Sequence, residues 1–415
     1  MRDTALPTLI VIGLSCAACS SDAGPPPGPT VRDSAGIQIV ENPDVGWEPA
    51  AAWVVSDTPS LDLGSVDAPP EYQFLQVMGV ASLSDGRIVV ANAGTQELRW
   101  FEGDGTLVAT AGGEGQGPGE FTGLTSVGVL PGDSVIAYDG RQRRFSIFDE
   151  SGRFVRSAPL EDDDRPGMRF PVFMGMLEGG SFVMVGRDLQ TEGMTEGPVL
   201  AAMPVYVYGS DGTIRDSVGT FRGWEALVTI RRSEQVVGMS IGDRPYGRTT
   251  TVASVGDGIV VGTPDAYEFE IYDPDGSLRS SVRLARPNAP LTSADIDAFV
   301  ASQVEDDAED NLQREYRRLA TEIDFPNTKP AYASSIRGDT QGNVWVPGFM
   351  VEDGERSHPP RWAVFDRGGR YLGELEMPRR LRVLEIGADY VLGIWRDEFD
   401  VEHLRRYEIA KPDRS

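Results

Sequence analysis

The sequence predicts an all-β ring, a six-bladed β-propeller, on three observations. An apolar and aromatic pair followed by a tight glycine-ended turn occurs five times: "WFEGDG" (Trp100 to Gly105), "IFDESG" (Ile147 to Gly152), "VYGSDG" (Val207 to Gly212), "IYDPDG" (Ile271 to Gly276) and "VFDRGG" (Val364 to Gly369). The spacing is regular: Gly105 and Gly152 stand 47 residues apart, as do Phe74 and Phe121. Each turn is followed by a short alternating strand and preceded by another hairpin, such as "SLSDGRIVVAN" (Ser82 to Asn92). Glycine supplies the positive φ that tight hairpins need. One unit is therefore four short strands, and four-stranded units at this period stack radially into a propeller.

The elements follow in chain order. Residues 1–18 have a charged end, a short apolar run from Ala5 to Leu14 and small residues, which is signal-peptide architecture and too short to span a bilayer. Ala17-Ala18-Cys19 resembles the bacterial lipobox, which implies lipidation at Cys19; Cys16, where a leucine is usual, is a second possible acceptor. In that motif an aspartate after the cysteine favours the inner membrane, and Ser20 stands there instead, implying an outer-membrane anchor. Residues 19–33, rich in Ser, Gly and Pro, read as a tether. The propeller is expected over 34–411, with a short tail at 412–415.

Blades are expected to start near Phe74, Phe121, Phe170, Thr249, Ala331 and Arg379. The last unit, from Arg379, supplies three strands before the chain stops, so Ser60 to Leu63 is expected to provide the fourth and close the ring. "IQIVEN" and "AAWVVSD" are candidates for an added outer strand. Between blades 4 and 5, residues 291–323 switch to helical period. Thr292 and Asp295 suit an N-terminal cap there, and Ile296, Phe299, Val300 and Val304 form one apolar face, so the insertion is a packed plug or a lid. "GGEGQGPGEF" (Gly112 to Phe121) has a phosphate loop's glycine content, but it precedes a strand and Pro118 breaks the Gly-x-Gly-x-x-Gly spacing, so it reads as a crossing between blades.

Composition narrows the chemistry. With 64 acidic against 38 basic residues the formal charge is -26, which disfavours nucleic acid and anionic membrane surfaces as partners. Both cysteines precede residue 20 and the only histidines are His358 and His403, leaving little for a thiol nucleophile, a disulfide or an imidazole metal site. No GxSxG, HExxH or Walker pattern occurs.

The run "GEGQGPGEF … GDSVIAYD … RFSIFDESGRFV" resembles an NHL-type repeat, and roughly Ser34 to Lys411 resembles the related bacterial six-bladed β-propeller lipoproteins. The resemblance implies a fold and an envelope location with no established reaction; the expected role is a non-catalytic binding or scaffold module, monomeric, for a protein or small ligand. Links within hairpins are tight, whereas those from second to third strand and from blade to blade are long, so the opposite, loop-bearing face is the expected site. Asn92, Asp139, Asp265 and Asp397 follow second strands on that rim, where Arg141, Arg187 and Arg396 could hold an anion. Some six-bladed propellers are lactonases that hold Ca²⁺ with Glu, Asn and Asp in the channel, and a Ca-dependent hydrolase is the alternative; no other cofactor is expected. "EDDDR" (Glu161 to Arg165) lacks the spacing of a calcium loop and reads as solvated, and His358 reads as incidental.

Overall fold

The computed structural model describes residues 28–161, 167–168, 171–187, 195–232, 237–302, 325–352, 355–356 and 361–412. The signal segment, Cys19, Phe170, most of the acidic run, His358 and the helical insertion beyond residue 302 lie outside them.

The described chain is all-β apart from one α-helix and two short 3-10 turns. Its strands gather into six principal sheets and one two-stranded ribbon, Val351–Glu352 with Glu355–Arg356. The first strands of the six are Val77–Ser82, Leu124–Val129, Val172–Met176, Thr251–Val255, Arg337–Gly338 and Leu381–Ile386. Each touches the next in chain order, and the last touches the first. Each leads by a tight hairpin into a second strand, and the order then runs outward. This is a propeller-type arrangement.

The core explains why the second strands read as unbroken apolar runs. Six hydrophobic clusters fill the joints between neighbouring sheets. In Ile88–Asn92, Val89 and Ala91 enter the joint with the second sheet, while Ile88 and Val90 enter the joint with the last. A strand's side chains alternate between faces, so a strand covered on both sides must be apolar at every position.

Two of the sheets have four strands in a plain meander, Val77–Gly112 and Leu124–Pro159. The third adds Val237–Asp243 as a fifth strand, pairing with the long strand Ile214–Arg232. The fourth takes Ile37–Asn42 in parallel beside Leu278–Leu284, with Thr30–Ser34 outside it, so strand structure begins within the stretch read as tether. Val40 anchors this addition in the core. The fifth sheet has four strands, ending at Tyr371–Glu376. In the sixth, Leu61–Leu63 pairs antiparallel with Glu402–Ala410, and Val54–Val55 pairs further along the same strand. Gly105, at φ 92°, lets the first sheet's outer turn lie against this closing segment; a Cβ there would come within 2.6 Å of Leu63.

The helix Ser293–Ser302 opens with a reciprocal cap: Thr292 N donates to Asp295 Oδ2 (3.0 Å) and Asp295 N to Thr292 Oγ1 (3.3 Å). Lys329 Nζ reaches Asp295 at 2.7 Å and Tyr246 Oη donates to its carbonyl, fixing the helix beside the loop-bearing face. The side chains described along this helix are exposed or half-buried.

Candidate functional site

The crossings between sheets set the geometry of the loop-bearing face. Phe121 is fully buried against Phe148 (6.1 Å between ring centroids). The preceding glycine-rich loop closes on itself: Gly113 N donates to Gln96 O, Phe121 N to Gly113 O and Gly115 N to Phe121 O, at 2.8–2.9 Å. Arg144 Nη2 donates to Gly117 O at 2.7 Å and to Glu120 O at 2.8 Å. The loop's polar groups are thus spent within the protein, as a structural joint requires.

Asn92 and Asp139 have no exposed surface, and they do equivalent work one repeat apart. Asn92 Oδ1 accepts from the amide after Phe74 (Leu75 N, 2.8 Å), and Asp139 Oδ2 accepts from the amide after Phe121 (Thr122 N, 2.7 Å). Asp139 also accepts from the amides of Gly123, Arg141 and Gln142 and from Gln142 Nε2. Burial raises its pKa, but these donors, led by the Gln142 amide, hold it below the ordinary carboxylate value. Both residues clamp the start of a first strand to the end of the second.

The other rim residues are scattered. Asp265 is paired with Arg222 (2.8 Å) and Arg248 (2.9 Å). Arg396 pairs at 2.8 Å with Glu402, whose other oxygen accepts from Val77 N. Asp397 accepts from the amides of Phe399 and Val401 within its turn, which hold its pKa low. Arg141 is exposed, and Arg187 is exposed with its guanidinium 5.5 Å from the Trp224 ring centroid. None of the seven lines either of the two cavities that meet along the axis.

The larger cavity, of 860 Å³, is walled by the first strands of all six sheets. Toward its hairpin end Glu385 accepts from Ser82 N (2.8 Å) and Oγ (2.5 Å) and from Tyr390 Oη (2.6 Å), and Asp133 accepts from Ser84 N (3.0 Å) and Oγ. These wall carboxylates are engaged by hydroxyls and amides. Among the described residues no group of three or more His, Cys, Asp or Glu could hold a metal ion. The rim and wall carboxylates, each already engaged, do not fit a Ca²⁺ cage.

The smaller cavity, of 310 Å³, opens on the loop-bearing face and meets the larger one at Ser334, Ser335 and Arg337, which line both. Phe349, Met350, Trp362 and Leu381 give it an apolar side, and Thr249 and the two serines give it hydroxyls. Tyr332, in its wall, donates to Glu268 O at 2.6 Å. Among the described residues its only charged lining residues are Arg337 and Arg382. No local sequence signal marks either arginine. They come from different sheets in a chain with 36 arginines, and their one distinguishing mark is a place at the start of a first strand.

No family model matches the chain, and no curated protein matches it. Solved structures do. A member of the DUF4221 family from Bacteroides vulgatus aligns with a TM-score of 0.50 at 9% identity, covering 88% of this chain and 100% of that one. A putative exported protein from Bacteroides fragilis aligns at 0.48 and 13% identity, covering 90% and 100%. A gluconolactonase from Xanthomonas campestris aligns at 0.41 and 12%, covering 88% and 99%. At 9% identity the likeness to the DUF4221 member is one of fold alone.

Proposed function

We propose that this chain is a six-bladed propeller of four-stranded blades, related to the NHL type, working as a non-catalytic binding module of the bacterial envelope. In this reading residues 1–18 direct export, lipidated Cys19 and residues 19–33 tether a monomeric propeller (34–411) to the outer membrane, and the tail is 412–415. The helix Ser293–Ser302, the described part of the insertion read over 291–323, stands beside the loop-bearing mouth, and the exposed Arg141 and Arg187 belong to the outer rim.

One observation carries the binding reading over the calcium hydrolase. The mouth cavity presents apolar side chains, hydroxyls and two guanidiniums, while the rim carboxylates Asp139, Asp265 and Asp397 are bound up in turns and ion pairs. Such a wall repels Ca²⁺ and suits a ligand held by shape and a few polar contacts.

The test uses the full-length protein purified in detergent. Metal analysis, melting curves with and without Ca²⁺, and lactone hydrolysis with and without EDTA are measured together. The expected outcome is no calcium-dependent rise in Tm and no EDTA-sensitive turnover; a stoichiometric calcium with EDTA-sensitive hydrolysis would establish the alternative. Replacing Cys19 by alanine is expected to release the protein from the membrane fraction.

A further inference from the structure

We propose that Arg337 and Arg382 form an anion site where the mouth cavity meets the central one. It takes a small organic acid whose carboxylate or phosphate lies against both guanidiniums and whose apolar part rests on Phe349, Met350 and Trp362. The inference rests on the binding reading above and names the ligand class of that mouth.

Three observations converge. Arg337 is half-buried and lines both cavities, and its buried Nε meets no acceptor among the described residues. Burial and the charge of Arg382 pull its pKa below the ordinary arginine value, with no carboxylate acting in the other direction. Arg382 donates to the carbonyl of Val77; the carboxylate that acts on it, Glu402, is already bonded to Arg396. Finally, among the described residues no Asp or Glu lines this cavity, in a molecule of formal charge -26.

A guanidinium stays protonated even here, so two like charges line one partly buried space, and Arg337 has no carboxylate partner among the described residues. A buried, unpaired charge is costly, and a buried donor without an acceptor calls for an explanation. An anion answers both, because arginine binds carboxylate or phosphate through paired, charge-assisted hydrogen bonds. The cavity's 310 Å³ falls at the small end of ligand pockets, which limits the acid to a compact body.

Calorimetric titration of the full-length protein with phenylacetate, phenyl phosphate, benzyl alcohol and benzylamine tests the inference. The two acids are expected to bind at least about tenfold tighter than the alcohol, and the amine not at all. Arg337→Met and Arg382→Met should each weaken the acids by at least about tenfold while leaving the alcohol within about twofold, and Arg337→Lys should recover part of the loss. Without ligand, Arg337→Met should melt no lower than the parent, since it removes a cation that has no carboxylate partner among the described residues. A structural arginine would give the opposite, a lower Tm with unchanged acid affinity, and would overturn the proposal. Acids that bind no tighter than the alcohol would overturn the anion class alone, leaving the mouth a binding site. Failure of every probe, together with lactone turnover, would overturn both readings.

Discussion

Asp139 shows what a strand-end carboxylate does in this molecule. Its two oxygens take four backbone amides and one side-chain amide, holding Phe121 and the strand after it in place. Asp139→Ala would leave those amides without an acceptor in a buried joint and is expected to destabilise the protein by about 3 kcal/mol in denaturant titrations, with Asp139→Asn losing less. The residue's position was legible from the 47-residue period, but its role was not. Asn and Asp end strands both to cap turns and to bind ligands, and one sequence cannot separate the two uses. Arg337 and Arg382 were not legible at all, because their nearness is made by the ring and no local motif marks it.

At the scale of the element, the hairpin aspartates form a recurring device. Asp104, Asp149, Asp211, Asp275 and Asp366 each accept from the amide two residues on. In Asp149, the Ser151 hydroxyl and then the Arg153 amide bring the carboxyl to about 2, and at the helix Lys329 does the same for Asp295. Asp85, Asp104, Asp211 and Asp275 are likewise lowered, each chiefly by a hydrogen bond from the residue two further on. A depressed folded-state value means the unfolded chain binds protons first, so this stabilisation is complete above the ordinary carboxylate value and is lost as pH falls through the folded values. Melting temperature is therefore expected to be level above about pH 5 and to fall steadily from about pH 4 to about pH 2. These turns were the most readable part of the sequence, since an Asp and a Gly at fixed offsets specify both the bend and its hydrogen bonds. The extra strands of the third and fourth sheets were less readable: Thr30–Ser34 is wholly exposed, so no apolar pattern announces it.

For the whole molecule, the segment that completes the sixth sheet is the decisive element. Leu61, buried between the sixth and first sheets, pairs with Arg406. Leu61→Ala is expected to cost about 2–5 kcal/mol. Removing residues up to Leu63 should bare the edge of Glu402–Ala410 and produce dimers or larger species in size-exclusion chromatography. That the C-terminal unit lacked a strand was countable in the sequence, which is why its donor could be sought at the other end. The pairing also governs timing. Residues 61–63 are made well before their partner strand Glu402–Ala410, so the sixth sheet stays incomplete until that strand is available. Until then the sheets form an arc, a linear stack free to fray from two ends. Joining the ends removes every place where fraying could begin, and opening any one joint then strains the rest. The molecule should accordingly unfold in one step, and do so slowly, for a reason that lies in its connectivity and not in any single contact.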